Sequence, residues 1–164
     1  MHRHGATVTS STTFPRLRTA EHVDCVEWLR MRKALWTSVP EAKLEAEMHA
    51  YLGEGIHSSG LVAFVVACDR KCLGGFLEAS LRPYAEDCET HPVGYIEGWY
   101  VEPALRRQGW GRKLVQAAEG WARLNGCREM ASDAVLGNET SLRSHLSLGY
   151  EESSRVIHLR KFLH

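Results

Sequence analysis

The chain has 164 residues, 44% of them hydrophobic, with Lys plus Arg and Asp plus Glu each totalling 20. That length suits one compact domain, and the even charge balance excludes bulk attraction to nucleic acid or to an anionic membrane. No apolar run approaches the roughly 20 residues that a bilayer span requires.

Residues 1–13, with His2, His4 and a Ser/Thr run, lack the apolar core of a secretory signal and read as a flexible arm. Residues 14–164 read as a single domain. A short strand is expected over 15–18, then a helix over 20–36. Thr19 is its expected cap, with Glu21 in the first turn and Val26, Trp28, Leu29 and Leu35 available for burial. Pro40 and Glu41 open a second helix to about Tyr51, closed by Gly53 and Gly55. Strands over 61–68 and 73–82 pair across the polar turn Asp69-Arg70-Lys71. Next come a strand over 93–102, a helix over 110–125, a strand over 128–134 and a helix over 138–148 that ends at Gly149. A last strand is expected over 156–162. Strands before, between and after helices imply a mixed α/β fold. The five cysteines are odd in number and irregularly spaced, which suits buried thiols in a reduced, cytoplasmic protein. No zinc ligand set accompanies Cys68 and Cys72, so no metal is expected.

Arg106-Arg107-Gln108-Gly109-Trp110-Gly111 lies between the 93–102 strand and an amphipathic helix. Unpaired N–H groups at a helix N-terminus, next to glycines that admit close backbone approach, can hold phosphate. Equally, the six residues alone allow an ordinary turn with solvated arginines. In the strand, Gly98 is expected to mark a bulge beside Glu97, although a lone glutamate would also sit on a solvated sheet face. Such a bulge would splay the strand from its neighbour at 128–134. Carboxylates gather at strand ends and loops, among them Glu78, Glu86, Asp87, Glu89, Glu97, Asp133, Glu151 and Glu152. That pattern would attract a cation to one cleft without making the whole chain acidic. Asp133 falls at a strand's C-terminal end, where open α/β sheets place ligands, although it would serve equally as a turn cap.

Arg106-x-x-Gly109-x-Gly111, with Asn138, His145 and Leu148-Gly149-Tyr150 downstream, resembles the GCN5-related N-acetyltransferase (GNAT) superfamily from about Pro15 onward. The resemblance implies a GNAT fold: a mixed central sheet with a bulged, splayed central strand flanked by helices. It implies acetyl-CoA as donor, held by Tyr100, Val101, Arg106, Arg107, Gln108, Gly109, Trp110, Gly111, Arg112, Asn138 and His145. The runs 127–133 and 149–157, with Leu35-Trp36 and Glu97-Gly98, are further similar to the aminoglycoside 6′-N-acetyltransferases that form small dimers. That likeness implies an aminoglycoside pocket lined by Trp36, Tyr84, Glu97 and Asp133, a homodimer and a role in antibiotic resistance.

The implied chemistry is direct attack of an amine on the acetyl thioester in a ternary complex. Glu97 or Asp133 would deprotonate the ammonium, and backbone N–H groups near Tyr100 and Val101 would hold the oxyanion. His145 stands where many superfamily members have a thiolate-protonating tyrosine, which leaves the acid open. Two alternatives remain: an acetyltransferase for a polyamine, peptide or metabolite amine, and a non-enzymatic acyl-CoA sensor.

Overall fold

The computed structural model describes residues 15–53, 60–69 and 71–163. The expected arm over 1–13, together with Phe14 and Gly55, lies outside them. Five strands stand in the order β1-β2-β3-β4-β5: β1 Arg16–Thr19, β2 Leu61–Ala67, β3 Leu73–Arg82, β4 Val93–Val101 and β5 Met130–Ser132. The first four pair antiparallel in succession, and β5 joins β4 in parallel. Helices α1 Cys25–Leu35 and α2 Glu41–Gly53 cover one face. Helix α3, Trp110–Leu124, covers the other, and α4, Glu139–Leu146, follows β5. The architecture is the mixed α/β sandwich that the sequence implies.

Covering both faces explains why β2 reads Leu-Val-Ala-Phe-Val-Val-Ala without polar alternation. Trp28, Met31, Met48 and Phe76 fill the layer under α1 and α2. Leu114, Val115, Ala118, Trp121 and Ala122 form the buried stripe of α3. They lie on Val62, Leu77, Ala79 and Ile96.

Three expectations are corrected. Thr19 does not cap the first helix: a box at Glu21 and Asp24 caps a 3-10 turn over His22–Asp24, which runs directly into α1. The Glu21 N–H donates to Asp24 Oδ2 (2.8 Å), and Arg18 holds the same carboxylate at 2.6 and 2.7 Å. Val26 consequently faces outward, 81% exposed, rather than into the core. The strand expected over 128–134 shrinks to three residues because its pairing with β4 stops at Ile96 and Ser132. The last strand over 156–162 does not form. Residues 151–163 are irregular and exposed, since among the described residues no strand reaches them to complete a ladder.

Candidate functional site

The sheet opens at a bulge. Glu78 faces Gly98 and Ala79 faces Ile96, so Glu97 is the extra residue of β4. Beyond Ile96, β4 continues beside β3 with no β5 partner. Glu102 donates its N–H to the Gly74 carbonyl (2.9 Å), and Phe76 stands opposite Tyr100. Antiparallel alternation therefore turns the Tyr100 N–H toward β3, leaving those of Trp99 and Val101 facing the gap. Of Tyr100 and Val101, the Val101 N–H has the direction that an oxyanion donor in the gap requires. The Tyr100 ring stacks on Phe76, and its hydroxyl donates to Glu102 at 3.3 Å.

At the start of α3 the backbone is left open. Gly109 caps the helix at φ +84° with no side-chain hydrogen bond, and a Cβ there would meet nothing within 4 Å. The first N–H groups thus point outward beside clear space, as an anion site requires. Gly111 has a different reason to be glycine: a Cβ would lie 2.9 Å from the Trp99 ring. Several loop side chains brace the turn. Arg106 Nε donates to the Val101 carbonyl (2.8 Å), Gln108 to Ala104 (2.8 Å) and Arg112 to Ser147 (3.3 Å). Lys113 Nζ sits 4.2 Å from the Trp110 ring centroid. Arg107 is exposed at φ +62°. Uncapped N–H groups and an adjoining strand gap fit the pyrophosphate and extended arm of a CoA thioester.

On the β5 side, Asn138 caps α4, its Oδ1 accepting the Ser141 N–H at 3.1 Å. His145 is 9% exposed and packs edge-on between Trp99 and Tyr150, with both centroids 5.4 Å away. Its Nδ1 is 2.8 Å from the Ser141 carbonyl and its Nε2 is 3.0 Å from Ser132 Oγ. Gly149 at φ +93° ends the helix and turns the chain, with the Tyr150 N–H donating to the His145 carbonyl at 3.2 Å. Burial pushes the Tyr150 phenol up.

The opposite wall gathers Trp36, Arg82, Tyr95, Glu97 and Asp133. Glu97 is not a bare carboxylate. It accepts from Ser80 Oγ (2.5 Å) and from Arg82 at 3.0 and 2.7 Å. The Arg82 guanidinium lies 3.3 Å from the Tyr95 ring centroid. Asp133 is exposed, and its charge bears on both Arg82 and Tyr95. Burial, aided by Asp133, pushes the Tyr95 hydroxyl up to about 12. Trp36 ends α1 half-buried, and its ring would touch a Cβ on Gly98 at 2.4 Å. Tyr84 is 72% exposed in the loop after β3.

Not every acidic residue belongs to this wall. Glu78 is fully buried under α1, accepting from Arg32 (2.6 Å) and Trp28 Nε1 (2.8 Å). Burial lifts its carboxyl to about 7, against the pull of Arg32 and Trp28. Arg32 also pairs with Glu47 and sits 4.7 Å from the Trp36 ring centroid, so this network backs the Trp36 wall. Glu152 pairs instead with Arg155 in the exposed tail. Arg82 and the Arg32–Glu78 pair escaped the sequence reading. Their signal was the two-residue alternation Glu78, Ser80, Arg82 on β3, which puts all three on one face.

The family model for the Acetyltransferase (GNAT) family matches residues 28–150. An aminoglycoside N(6′)-acetyltransferase type 1 from Klebsiella aerogenes is 43% identical over 147 residues, 90% of this chain and 96% of that protein. The structure of AAC(6′)-Iy in complex with the bisubstrate analogue CoA-S-monomethyl-acetylneamine superposes with a TM-score of 0.82 at 33% identity. The match covers 92% of this chain and all of that one. The apo structure of aminoglycoside 6′-N-acetyltransferase AAC(6′)-Ig from Acinetobacter haemolyticus gives 0.82 at 36% identity, covering 90% and 99%. The chain belongs to the GNAT family of acetyltransferases.

Proposed function

We propose that this chain transfers the acetyl group of acetyl-CoA to the 6′-amine of an aminoglycoside by direct attack, and so confers resistance to the drug. The observation that carries the reading is one opening in the sheet with an anion site on one side and paired carboxylates with aromatic walls on the other. The similarity to aminoglycoside N(6′)-acetyltransferases, 43% over nearly the whole chain, names the acceptor.

The α3 N-terminus and the 106–112 loop hold the pyrophosphate, and the gap-facing groups of β4 receive the thioester arm. Asn138 and His145 border the arm from α4. The Val101 N–H faces the acetyl carbonyl and stabilises the oxygen as negative charge develops. Asp133 binds an acceptor ammonium by a charge-assisted hydrogen bond. Glu97 shares its carboxylate between Arg82 and the acceptor, while Trp36 and Tyr84 supply flat walls and cation–π contact. As the nitrogen bonds to carbon, the C–S bond breaks and its electron pair leaves with sulfur.

The protein acts as a cytoplasmic homodimer in this reading. Five free thiols suit a reducing compartment. Among the described residues the β5 edge has no further partner, and the exposed tail carries Val156, Ile157, Leu159, Phe162 and Leu163. A second copy that covers the edge with this tail would bury apolar surface otherwise left to water.

Thiol release from acetyl-CoA tests the activity, with kanamycin, spermidine and a lysine-bearing peptide as rival acceptors. Turnover with kanamycin and not with the other two is expected. Preference for spermidine or the peptide would move the enzyme to another amine class. Cofactor binding without amine-dependent release would make it a sensor.

A further inference from the structure

We propose that the Ser132 hydroxyl carries the transferred proton across the sheet opening, with buried His145 as its acceptor and donor. The proposal rests on the acetyltransferase reading above and supplies the acid that the missing tyrosine leaves open.

Ser132 is the last residue of β5 and stands opposite Ile96, where the β4–β5 ladder ends. Its Oγ lies 3.0 Å from His145 Nε2 and within 3.5 Å of the Ile96 carbonyl. His145 itself is nearly buried. Its ring is shut between Trp99 and Tyr150, and its Nδ1 faces the Ser141 carbonyl at 2.8 Å. A carbonyl can only accept, so Nδ1 carries a hydrogen, and in the neutral imidazole Nε2 then presents its lone pair to Ser132. Tyr150, edge-on to the imidazole, is the titratable side chain packed against it from outside α4. Nε2 therefore meets the gap through the oxygen of Ser132.

The steps balance within the two substrates. The acceptor nitrogen bonds to the acetyl carbon, and its N–H proton passes to Ser132 Oγ as the hydroxyl proton moves to His145 Nε2. When the C–S bond breaks, the electron pair settles on sulfur. The imidazolium then returns its proton through Ser132 to the thiolate, and His145 is neutral again. One proton has gone from nitrogen to sulfur with no other reactant.

The test compares the full-length wild type, Ser132→Ala and Ser132→Thr with saturating acetyl-CoA and kanamycin, together with a proton inventory in mixed H2O and D2O. Ser132→Ala should lower kcat about a hundredfold, the low end for a positioned acid–base group. It should leave both KM values and Tm within experimental range of the wild type. Ser132→Thr, which keeps the hydroxyl, should recover most of the rate. The wild-type inventory should be curved, with two protons in flight, and flatten in Ser132→Ala. A Ser132→Ala enzyme within threefold of wild type overturns the proposal, as do parallel losses in KM and Tm or a threonine variant as slow as the alanine one. A wild type that releases no thiol with kanamycin would instead refute the parent reading, so the two failures are distinguishable.

Discussion

A Cβ on Gly111 would stand 2.9 Å from Trp99, whereas one on Gly109 would meet only open space, at a φ of +84°. The two substitutions should therefore fail differently. Gly109→Val forces a branched residue into the left-handed region, costing about 1–2 kcal/mol, and obstructs the approach to the α3 N–H groups. Equilibrium binding should show a weakened acetyl-CoA complex with acceptor KM unchanged, and undiminished CoA affinity would remove the phosphate-loop assignment. Gly111→Ala should act through packing, lowering stability by about 1–3 kcal/mol in chemical denaturation. Asp133→Asn should raise acceptor KM far more than it weakens acetyl-CoA, and equal losses in both would sink the pocket assignment. Replacing Glu78 by alanine removes the buried one of the two carboxylates on the Arg32 guanidinium and should cost about 3–5 kcal/mol. A loss below about 1 kcal/mol would mean that Glu47 alone, or with water, satisfies the guanidinium. The chemistry-bearing residue types were legible because loop glycines, a strand glycine beside Glu97 and a strand-end Asp133 each break a local pattern. Pairing was not legible. Whether Glu97 stands free or faces Arg82 depends on the register across the bulge, which puts Arg82 on the same face.

At the scale of elements, the loop between β3 and β4 is clamped by one surface carboxylate. Glu129 accepts from the Thr90 hydroxyl and from the N–H groups of Glu89 and Thr90. These bonds, the Thr90 hydroxyl foremost, hold its pKa below the usual 4.5. A depressed carboxylate contributes its stabilisation above the unfolded pKa and loses it as pH falls through the folded value. Amide exchange at Glu89 and Thr90 should thus accelerate below about pH 4 relative to the intrinsic rate. Glu129→Gln should reproduce that loosening at neutral pH, and unchanged protection would show that the loop is held elsewhere. Element boundaries were readable where burial pattern and punctuation coincide, as at α2, α3 and α4. They failed at the first helix, because the Glu21–Asp24 box competes with Thr19 and rotates Val26 outward. The strand over 128–134 was overestimated for a different reason. Its residues have strand propensity, but splaying removes the partner that would extend it.

Across the whole molecule, the expected last strand and the proposed dimer are one question. The residues over 156–162 include Val156, Ile157, Leu159 and Phe162, as a strand would, yet they pair with neither edge of their own sheet, and Leu159 is 92% exposed. Sedimentation equilibrium should give a dimer for the full chain and a monomer for one ending at Tyr150, and a full-length monomer would refute the assembly. The fold itself was legible because its motifs sit in a fixed order: bulged strand, loop, long helix, short strand, capped helix. The acceptor is named by similarity and by the charge of one wall, so it is the claim most in need of a direct reading. That reading is the position of the acetyl group on kanamycin after turnover, assigned by NMR of the product, alongside an aminoglycoside with a hydroxyl at the 6′ carbon. The account predicts a single product acetylated on the 6′ nitrogen and no turnover of the hydroxyl compound. Acetylation at another amine, or equal turnover of the 6′-hydroxyl drug, would contradict it.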